Sequence, residues 1–223
     1  MEDVGITQYS EAHLDPDLHK EILNDRKDGW LPIFGQADNA LSHLLKKGVE
    51  EGDLFLFFGW FREIEKLECG NFRYKKGKPD LHVIYGFLEV GEYFDAYKGK
   101  AHEDLRVQKH IHHRRKDSYS QVGQNGLFIG KGTPTFYKSM AGLFKFDKRL
   151  QFTKDGENRS QWLLPKCFFE EDGQCKLTHH QEKVGKRNGD KYSIKSVGRG
   201  QEFVAEMDDG INEWVKSIGD LVV

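Results

Sequence analysis

Two apolar segments of the sequence adjoin side chains that suit the binding of a flat aromatic ligand. Trp60 and Arg62 lie at the end of the first segment, and Asp80, His82 and Tyr85 lie at the start of the second. A nucleobase pocket needs a flat π-surface for stacking and a few fixed donors or acceptors that read the base edge. We therefore expect Trp60 or Tyr85 to stack on a base, with polar groups such as Arg62 and His82 beside the ring.

The same aromatic residues could instead form the core. We expect this alternative for Phe55, Phe57 and Phe61, because large apolar side chains in a strand are usually buried. Trp60 and Arg62 stay open between the two interpretations, since the apolar strand ends there and a charged group follows at once.

A second polar set lies on the first predicted helix. Gln36, Asn39, Ser42 and His43 are three or four residues apart, which places them on adjoining faces of a helix. Amide and imidazole groups suit recognition of a base edge or a phosphate, and a helix N-terminus offers free N–H donors. The alternative is helix capping and a solvated face. We keep Gln36 and His43 as candidate ligand-binding residues.

Histidines are concentrated between residues 102 and 113. His102, His110, His112 and His113 include an H-x-H spacing that metal sites use. However, Arg114 and the two cations after it would repel a metal ion, and the run has no matched cysteine or carboxylate. We predict a solvated basic loop and no metal site; residues 106–116 could contact nucleic acid phosphates. His112 remains a candidate acid–base group.

Arg199 lies between two glycines and is followed by Gln201. Glycines allow unusual backbone angles, so the Arg199 fork could approach a phosphate or a carboxylate with two hydrogen bonds. The alternative is an ion pair between Arg199 and a carboxylate that orients the C-terminal helix.

Composition excludes several classes of protein. The 223 residues carry 34 Lys and Arg against 36 Asp and Glu, a formal charge of −2, which argues against a protein that holds duplex DNA mainly by its phosphates. Three cysteines without a CxxC spacing indicate no disulfide framework. We expect a soluble, cytoplasmic protein without a membrane segment or cofactor, because no apolar run approaches ~20 residues and no cofactor or catalytic motif is present.

The apolar pattern predicts the elements that must position these residues. It predicts a helix over 36–47, strands over 54–61 and 81–90, and a C-terminal helix over 203–218. Residues 1–35 are predicted to form a surface arm, and 98–120 and 170–200 to be loop-like or exposed. We expect a single domain over 1–223, with a barrel core and closing helix over 36–218.

The Gly52-Asp53 turn, the strand after it and the segment 83–90 resemble the core signature of PUA-like barrels, including their ASCH and EVE relatives. In those folds a Gly-Asp turn leads into a barrel strand that pairs with the next one. The resemblance implies an α+β fold with a partly open mixed β-barrel, flanking helices and a C-terminal helix.

A second resemblance covers nearly the whole chain, through HLDPD (13–17), GWLPIFGQ (29–36), SHL (42–44), GDLFLFFGWFR (52–62), PDLHVI (79–84) and GRGQEF (198–203). These segments resemble the third nucleotide modification associated domain family of bacteria and phages, which is named for gene neighbourhoods with DNA base modification enzymes. The resemblance implies a nucleotide-related context and favours site roles for Gln36, His43, Arg199 and Gln201. In that family a further N-terminal stretch precedes the HLDPD-like segment, whereas this sequence starts almost at that segment, so we expect it to lack that stretch.

Three functions are therefore weighed. The first is a module that binds a nucleotide or a modified nucleobase in a DNA-modification or phage–host conflict system, with Arg199 contacting an anion. The second is an enzyme that modifies or hydrolyses a nucleotide, for which His43, Asp80, His82 and His112 are the candidate groups. The third is an inhibitor or adaptor that binds protein, which exposed rather than pocketed aromatic residues would favour. Oligomeric state is not predicted.

Overall fold

The computed structural model describes residues 15–19, 29–99, 103–108, 110–114, 117, 123–139, 142–196 and 201–223. The predictions for His102 and Arg199 lie outside these residues. In chain order the elements are β1 (Ile33–Ala37), α1 (Asp38–Lys46), β2 (Leu54–Phe61), β3 (Ile64–Lys66), β4 (Phe72–Tyr74), β5 (Leu81–Asp95), α2 (Leu105–Gln108), α3 (Ile111–Arg114), β6 (Asn125–Gly130), β7 (Gly142–Leu143), β8 (Gln161–Pro165), β9 (Lys186–Asn188), β10 (Lys191–Lys195) and α4 (Asp209–Ser217).

The chain divides into two compact units. The large unit contains the described residues of 14–57, 85–147 and 201–223, and the small unit contains those of 58–84 and 148–196. Strands β2 and β5 contribute residues to both units.

The principal sheet has the strand order β1-β6-β5-β2, with β7 also paired to β5. In the large unit, β1 and β6 pair antiparallel with Phe34 opposite Phe128 and Gly35 opposite Leu127. Because side chains alternate across a strand, each face carries its own core. Phe34 and Phe128 pack with the buried helix residue Leu41 on one face, and Leu127 belongs to the cluster on the other.

The small unit contains an antiparallel sheet of order β8-β10-β9 and a separate β3–β4 hairpin. Trp162 pairs with Ile194, and Leu164 pairs with Tyr192; all four side chains are buried. The alternation of apolar and polar residues along β8 and β10 therefore directs one face of this sheet into the core of the small unit.

The strongest periodic patterns predicted their elements correctly. Strand β2 has the predicted bounds, and α1 covers most of the predicted helix. Leu41 and Leu44 give α1 its buried face, and Gly48, with a φ of 76°, follows the helix end. The C-terminal helix is confirmed but starts later, at Asp209, because the Asp208 side chain caps it by accepting the Ile211 N–H at 2.8 Å.

Three expectations are wrong. The described part of 1–35 is not a surface arm, since Leu18 and Ile33 are buried and Ile33 begins β1. The segment 170–200 is not only loop, because it contains the paired strands β9 and β10. In 98–120, Val107 and His112 are buried on α2 and α3 rather than exposed.

The α+β class is confirmed, with mostly antiparallel sheets and few helices. Within the described residues the principal sheet does not close into a barrel, since β1 and β2 lie at its two ends. A single domain over 1–223 stays a prediction. Among the described helices, none has the length and apolar character needed to cross a membrane.

Candidate functional site

The small unit exposes the indole of Trp60 near the end of β2. The Trp60 side chain is 61% exposed, whereas the strand residue Phe57 is buried. The guanidinium carbon of Arg159 lies 3.9 Å from the centroid of the Trp60 ring, which is a close cation–π contact. Because Arg159 occupies one face of the indole, the exposed area of the ring lies on its other face and its edges.

Asp80 holds the groups around this ring. Its Oδ1 lies 2.6 Å from Arg62 Nε, and its carboxylate also accepts a hydrogen bond from the Trp60 side chain. The Arg62 hydrogen bond, followed by the Trp60 hydrogen bond, outweighs desolvation and lowers the pKa of Asp80. Asp80 is therefore ionised at neutral pH and orients its neighbours. As an ionised group it accepts protons and does not donate them.

Arg62 extends the set to the β3–β4 hairpin. Its guanidinium carbon lies 5.0 Å from the Tyr74 ring centroid. We call the group Trp60, Arg62, Tyr74, Asp80 and Arg159 the Trp60 surface. It joins aromatic rings, cations and one carboxylate on an exposed part of the small unit, an arrangement that can stack on a planar ligand and donate hydrogen bonds to its edge.

Phe61 and His82, which are close in sequence to residues of the Trp60 surface, differ from each other in exposure. Phe61 is 43% exposed, so the expectation that it belongs to the core is wrong. His82 is only 3% exposed, and its Nδ1 accepts the Trp162 indole N–H at 3.0 Å. Burial and the nearby Arg159 charge lower the pKa of His82, so its ring is neutral in the core. A ligand-binding role for His82 stays a prediction without support from its surroundings.

The large unit contains a buried polar cluster, which we call the Asp15 cluster: Asp15, Gly35, His110, His112 and Asn125. Asp15 Oδ1 accepts the Gly35 backbone N–H at 2.8 Å, and Asp15 Oδ2 lies 3.1 Å from His112 Nε2. His112 Nδ1 lies 2.6 Å from Asn125 Oδ1. The cluster thus connects the segment 15–19, β1, α3 and β6.

Hydrogen bonding defines the protons of this cluster. The Asn125 amide nitrogen donates to the His112 carbonyl oxygen at 2.8 Å, so the Asn125 oxygen faces His112 Nδ1, which must carry a proton. The other ring nitrogen, Nε2, lies 3.1 Å from Asp15 Oδ2. Pairs of this kind hold a proton in a defined position, which general acid–base chemistry requires.

Gly35 makes room for the two histidine rings. A Cβ at this position would lie 2.3 Å from His112 Cδ2 and 2.9 Å from His110 Cε1. His110 and His112 are both buried, and the His112 backbone N–H donates to His110 Nδ1 at 3.3 Å. The prediction of a solvated basic loop is therefore wrong for these two histidines, because β1 and Asp15 provide polar partners and a glycine gap.

The other predicted site residues of the large unit have varied surroundings. Gln36 Nε2 donates to Glu202 Oε1 at 2.6 Å. Burial, with a smaller effect from the negative charge of Asp15, raises the pKa of Tyr85 to about 12, so its hydroxyl is neutral. His43 lies in the last turn of α1, and both it and Gln201 are half-buried.

The structure brings together Trp60, Arg62 and Asp80 in the small unit, as their positions at strand ends suggested. Gln36, His43, Tyr85, His112 and Gln201 belong to the large unit. Sequence reasoning missed the site residues Arg159, Asp15 and Asn125. Asp15 had a signal, since it lies in the HLDPD segment. In the part of the chain that the structure describes, no group of three His, Cys, Asp or Glu side chains is arranged to hold a metal ion.

These features define an α+β protein with an exposed aromatic and cationic surface and a buried His–Asp cluster. The chain belongs to the family described as nucleotide modification associated domain 3, whose family model matches residues 2–206. This membership associates the chain with nucleotide modification. Comparisons with curated proteins and with solved structures each found no match.

Proposed function

We propose that this chain is a binding module for a nucleotide or a modified nucleobase, and that the base stacks on the indole of Trp60. The observation that carries the proposal is the 61% exposed Trp60 ring with Arg159 on one face. An exposed apolar ring of this size is costly to leave in water, and base–aromatic stacking contributes ~1–3 kcal/mol per base. Family membership supports a nucleotide-related ligand.

Polar groups at the edge of the ring support the same ligand. Arg62 is oriented by Asp80, so its remaining N–H groups have a defined direction toward a ligand. The Trp60 side chain also interacts with the Asp80 carboxylate. A base on Trp60 therefore meets a preorganised surface, which lowers the entropy cost of binding.

We also propose that the chain acts within a DNA base modification or phage–host conflict system. We propose in addition that its fold is related to PUA-like folds. The Gly52-Asp53 turn leads into β2, which neighbours β5 in the principal sheet, in the order that the resemblance implied.

Replacement of Trp60 tests the proposal. We expect Trp60→Ala to weaken binding of nucleotides, measured by calorimetry over common and base-modified nucleotides, by roughly 5- to 100-fold through the loss of stacking. Phe146→Ala is the matched control, because Phe146 is 59% exposed but belongs to the large unit. Equal nucleotide affinity of Trp60→Ala and wild type would overturn the proposal.

Acid–base catalysis on a nucleotide is a second candidate function, and the Asp15 cluster favours it. Asp15 keeps 13% of its side chain accessible, whereas His112 is almost fully enclosed. Asp15 would therefore be the group that meets a substrate, with His112, itself held by Asn125, orienting its carboxylate. Mass spectrometry of nucleotides after incubation tests this candidate. A chemical change that is lost in Asp15→Asn, at unchanged nucleotide affinity, would support it; recovery of every nucleotide unaltered would reject it.

A further inference from the structure

One face of the β3–β4 hairpin is exposed and aromatic. Ile64 lies opposite Tyr74, and Lys66 lies opposite Phe72. Residues directly opposite each other in an antiparallel pair share a face, and so do residues two apart on one strand. These four side chains therefore form one face, which we call the ribbon face. Ile64, Phe72 and Tyr74 are 54%, 44% and 40% exposed, respectively.

Cations alternate with the rings across this surface. Arg62 lies over Tyr74 at 5.0 Å, and Lys66 Nζ lies 6.0 Å from the Phe72 ring centroid. Arg62 is also bonded to Asp80, to which Trp60 donates. The ribbon face and the Trp60 ring are thus linked by direct contacts within the small unit.

We propose that the ribbon face binds the nucleotides that flank the base on Trp60, so that the ligand is a single-stranded nucleic acid rather than a free nucleotide. This inference rests on the proposed function, because it uses the base on Trp60 as its first position. Single-stranded nucleic acid is bound by aromatic side chains on which successive bases stack, together with cations that follow the backbone.

The spacing of the rings fits an extended strand. Phe72 and Tyr74 are two residues apart on β4, which places them about 6.6 Å apart. This is about twice the ~3.4 Å advance per nucleotide in a stacked strand. Bases on neighbouring rings therefore belong to a stretched single strand, in which each base can be unstacked from the next and placed on its own ring.

Charge favours a single strand over a duplex or a protein partner. Residues 60–80 contain six Lys or Arg and four Asp or Glu, an excess of positive charge on a chain whose total is −2. The overall balance is too weak for binding through duplex phosphates, and the rings need unpaired bases. The cations beside the rings complement a base and its phosphate together, a combination that an apolar protein face does not offer.

The opposite face of the hairpin differs. There Arg73 Nε lies 2.7 Å from Glu65, and Lys75 Nζ lies 2.6 Å from Glu63. Carboxylates neutralise Arg73 and Lys75, and the residues that face them across the hairpin, Glu65 and Glu63, are not aromatic. These two cations therefore provide control positions: Lys75 matches Lys66 in type but lies in an ion pair outside the ribbon face.

Fluorescence polarisation with labelled deoxythymidine strands of one, two, four, eight and twelve nucleotides tests the inference. We expect wild-type affinity to rise with length up to roughly four to eight nucleotides. The double variant Phe72→Ala, Tyr74→Ala should lose at least roughly 10-fold in affinity for the eight-nucleotide strand but bind the mononucleotide as wild type does. Lys66→Ala should reduce the salt dependence of binding by about 0.7 in the slope of log K against log salt, and Lys75→Ala should leave it unchanged.

The outcomes separate the two proposals. Affinity that does not depend on strand length, or an unchanged eight-nucleotide affinity in the double variant, overturns the role of the ribbon face while the base on Trp60 stands. Equal binding of an eight-base-pair duplex overturns the preference for a single strand. Mononucleotide binding by Trp60→Ala that equals that of wild type overturns the proposed function itself. Melting temperatures near that of wild type establish that each variant is folded.

Discussion

At the scale of single residues, the buried carboxylate of Glu89 has specific partners. Glu89 is 1% exposed and accepts hydrogen bonds from Lys131 and from the backbone and hydroxyl of Thr135. Burial alone would raise the pKa of Glu89, but these hydrogen bonds lower it below its ordinary value. Glu89 therefore stabilises the loop after β6, and both of its oxygens are used in hydrogen bonds.

His180 makes a residue-scale prediction about pH. The ring is buried and stacks on Trp162, with centroids 6.1 Å apart. Burial, aided by the charge of Lys183, lowers the pKa of His180 to about 4. Between about pH 6.5 and 4 the unfolded chain binds a proton that the folded chain does not, so His180 removes stability as the pH falls.

We expect this loss to reach about 3 kcal/mol by pH 4 and to level off below it. Urea unfolding of wild type and His180→Gln from pH 7.5 to 4 measures it, and the stability difference between the two should change across this window. His179→Asn is the control, because His179 is exposed and has a φ of 63° that asparagine tolerates. A constant difference between wild type and His180→Gln would show that the buried ring does not govern this pH dependence.

At the scale of elements, the close approach of α3 to β1 depends on one glycine. Gly35→Ala would place a methyl group 2.3 Å from His112 Cδ2 and displace the ring from Asp15. We expect a loss of about 1–3 kcal/mol or more from overpacking. Gly132→Ala is the control, since its Cβ would meet only Leu31 at 3.8 Å. Urea midpoints measure both; a Gly35→Ala midpoint equal to that of wild type would contradict the account of the Asp15 cluster.

Local patterns predicted the elements that have a strong period. The unbroken apolar run of β2 and the spacing of Leu41 and Leu44 in α1 needed no distant information. Strand β10 was missed although Tyr192 and Ile194 alternate with polar residues, because the strand is short and its surroundings are polar. The burial of Leu18 was not predicted, because the charged residues and the prolines of 1–35 favour a surface segment.

The candidate site was predictable only in part, for a physical reason. Trp60, Arg62 and Asp80 lie at the ends of strands that pair, so topology alone could suggest their meeting. Arg159 is far from Trp60 in the sequence, so no local sequence pattern predicts the contact between them. His112 looked solvated among basic residues because its partners, Asp15 and Asn125, are distant in sequence.

At the scale of the whole molecule, the two units carry different kinds of site. The small unit has an exposed surface of rings and cations, and the large unit has a buried cluster of His, Asp and Asn side chains. The sequence interpretation combined residues of both units in one site. The structure instead groups Trp60 with Arg62, Asp80 and Arg159, which favours recognition by stacking in one unit.

Photocrosslinking tests the central claim of base stacking most directly. An eight-nucleotide strand carrying 5-iododeoxyuridine, irradiated with the wild-type protein, forms covalent bonds to the aromatic ring on which the base lies. Mass spectrometry of tryptic peptides then locates the bond. We predict crosslinks at Trp60, within peptide 48–62, and at Phe72 or Tyr74, with loss of the first in Trp60→Ala. Crosslinks confined to other peptides, or none under conditions where the strand is bound, would contradict the account.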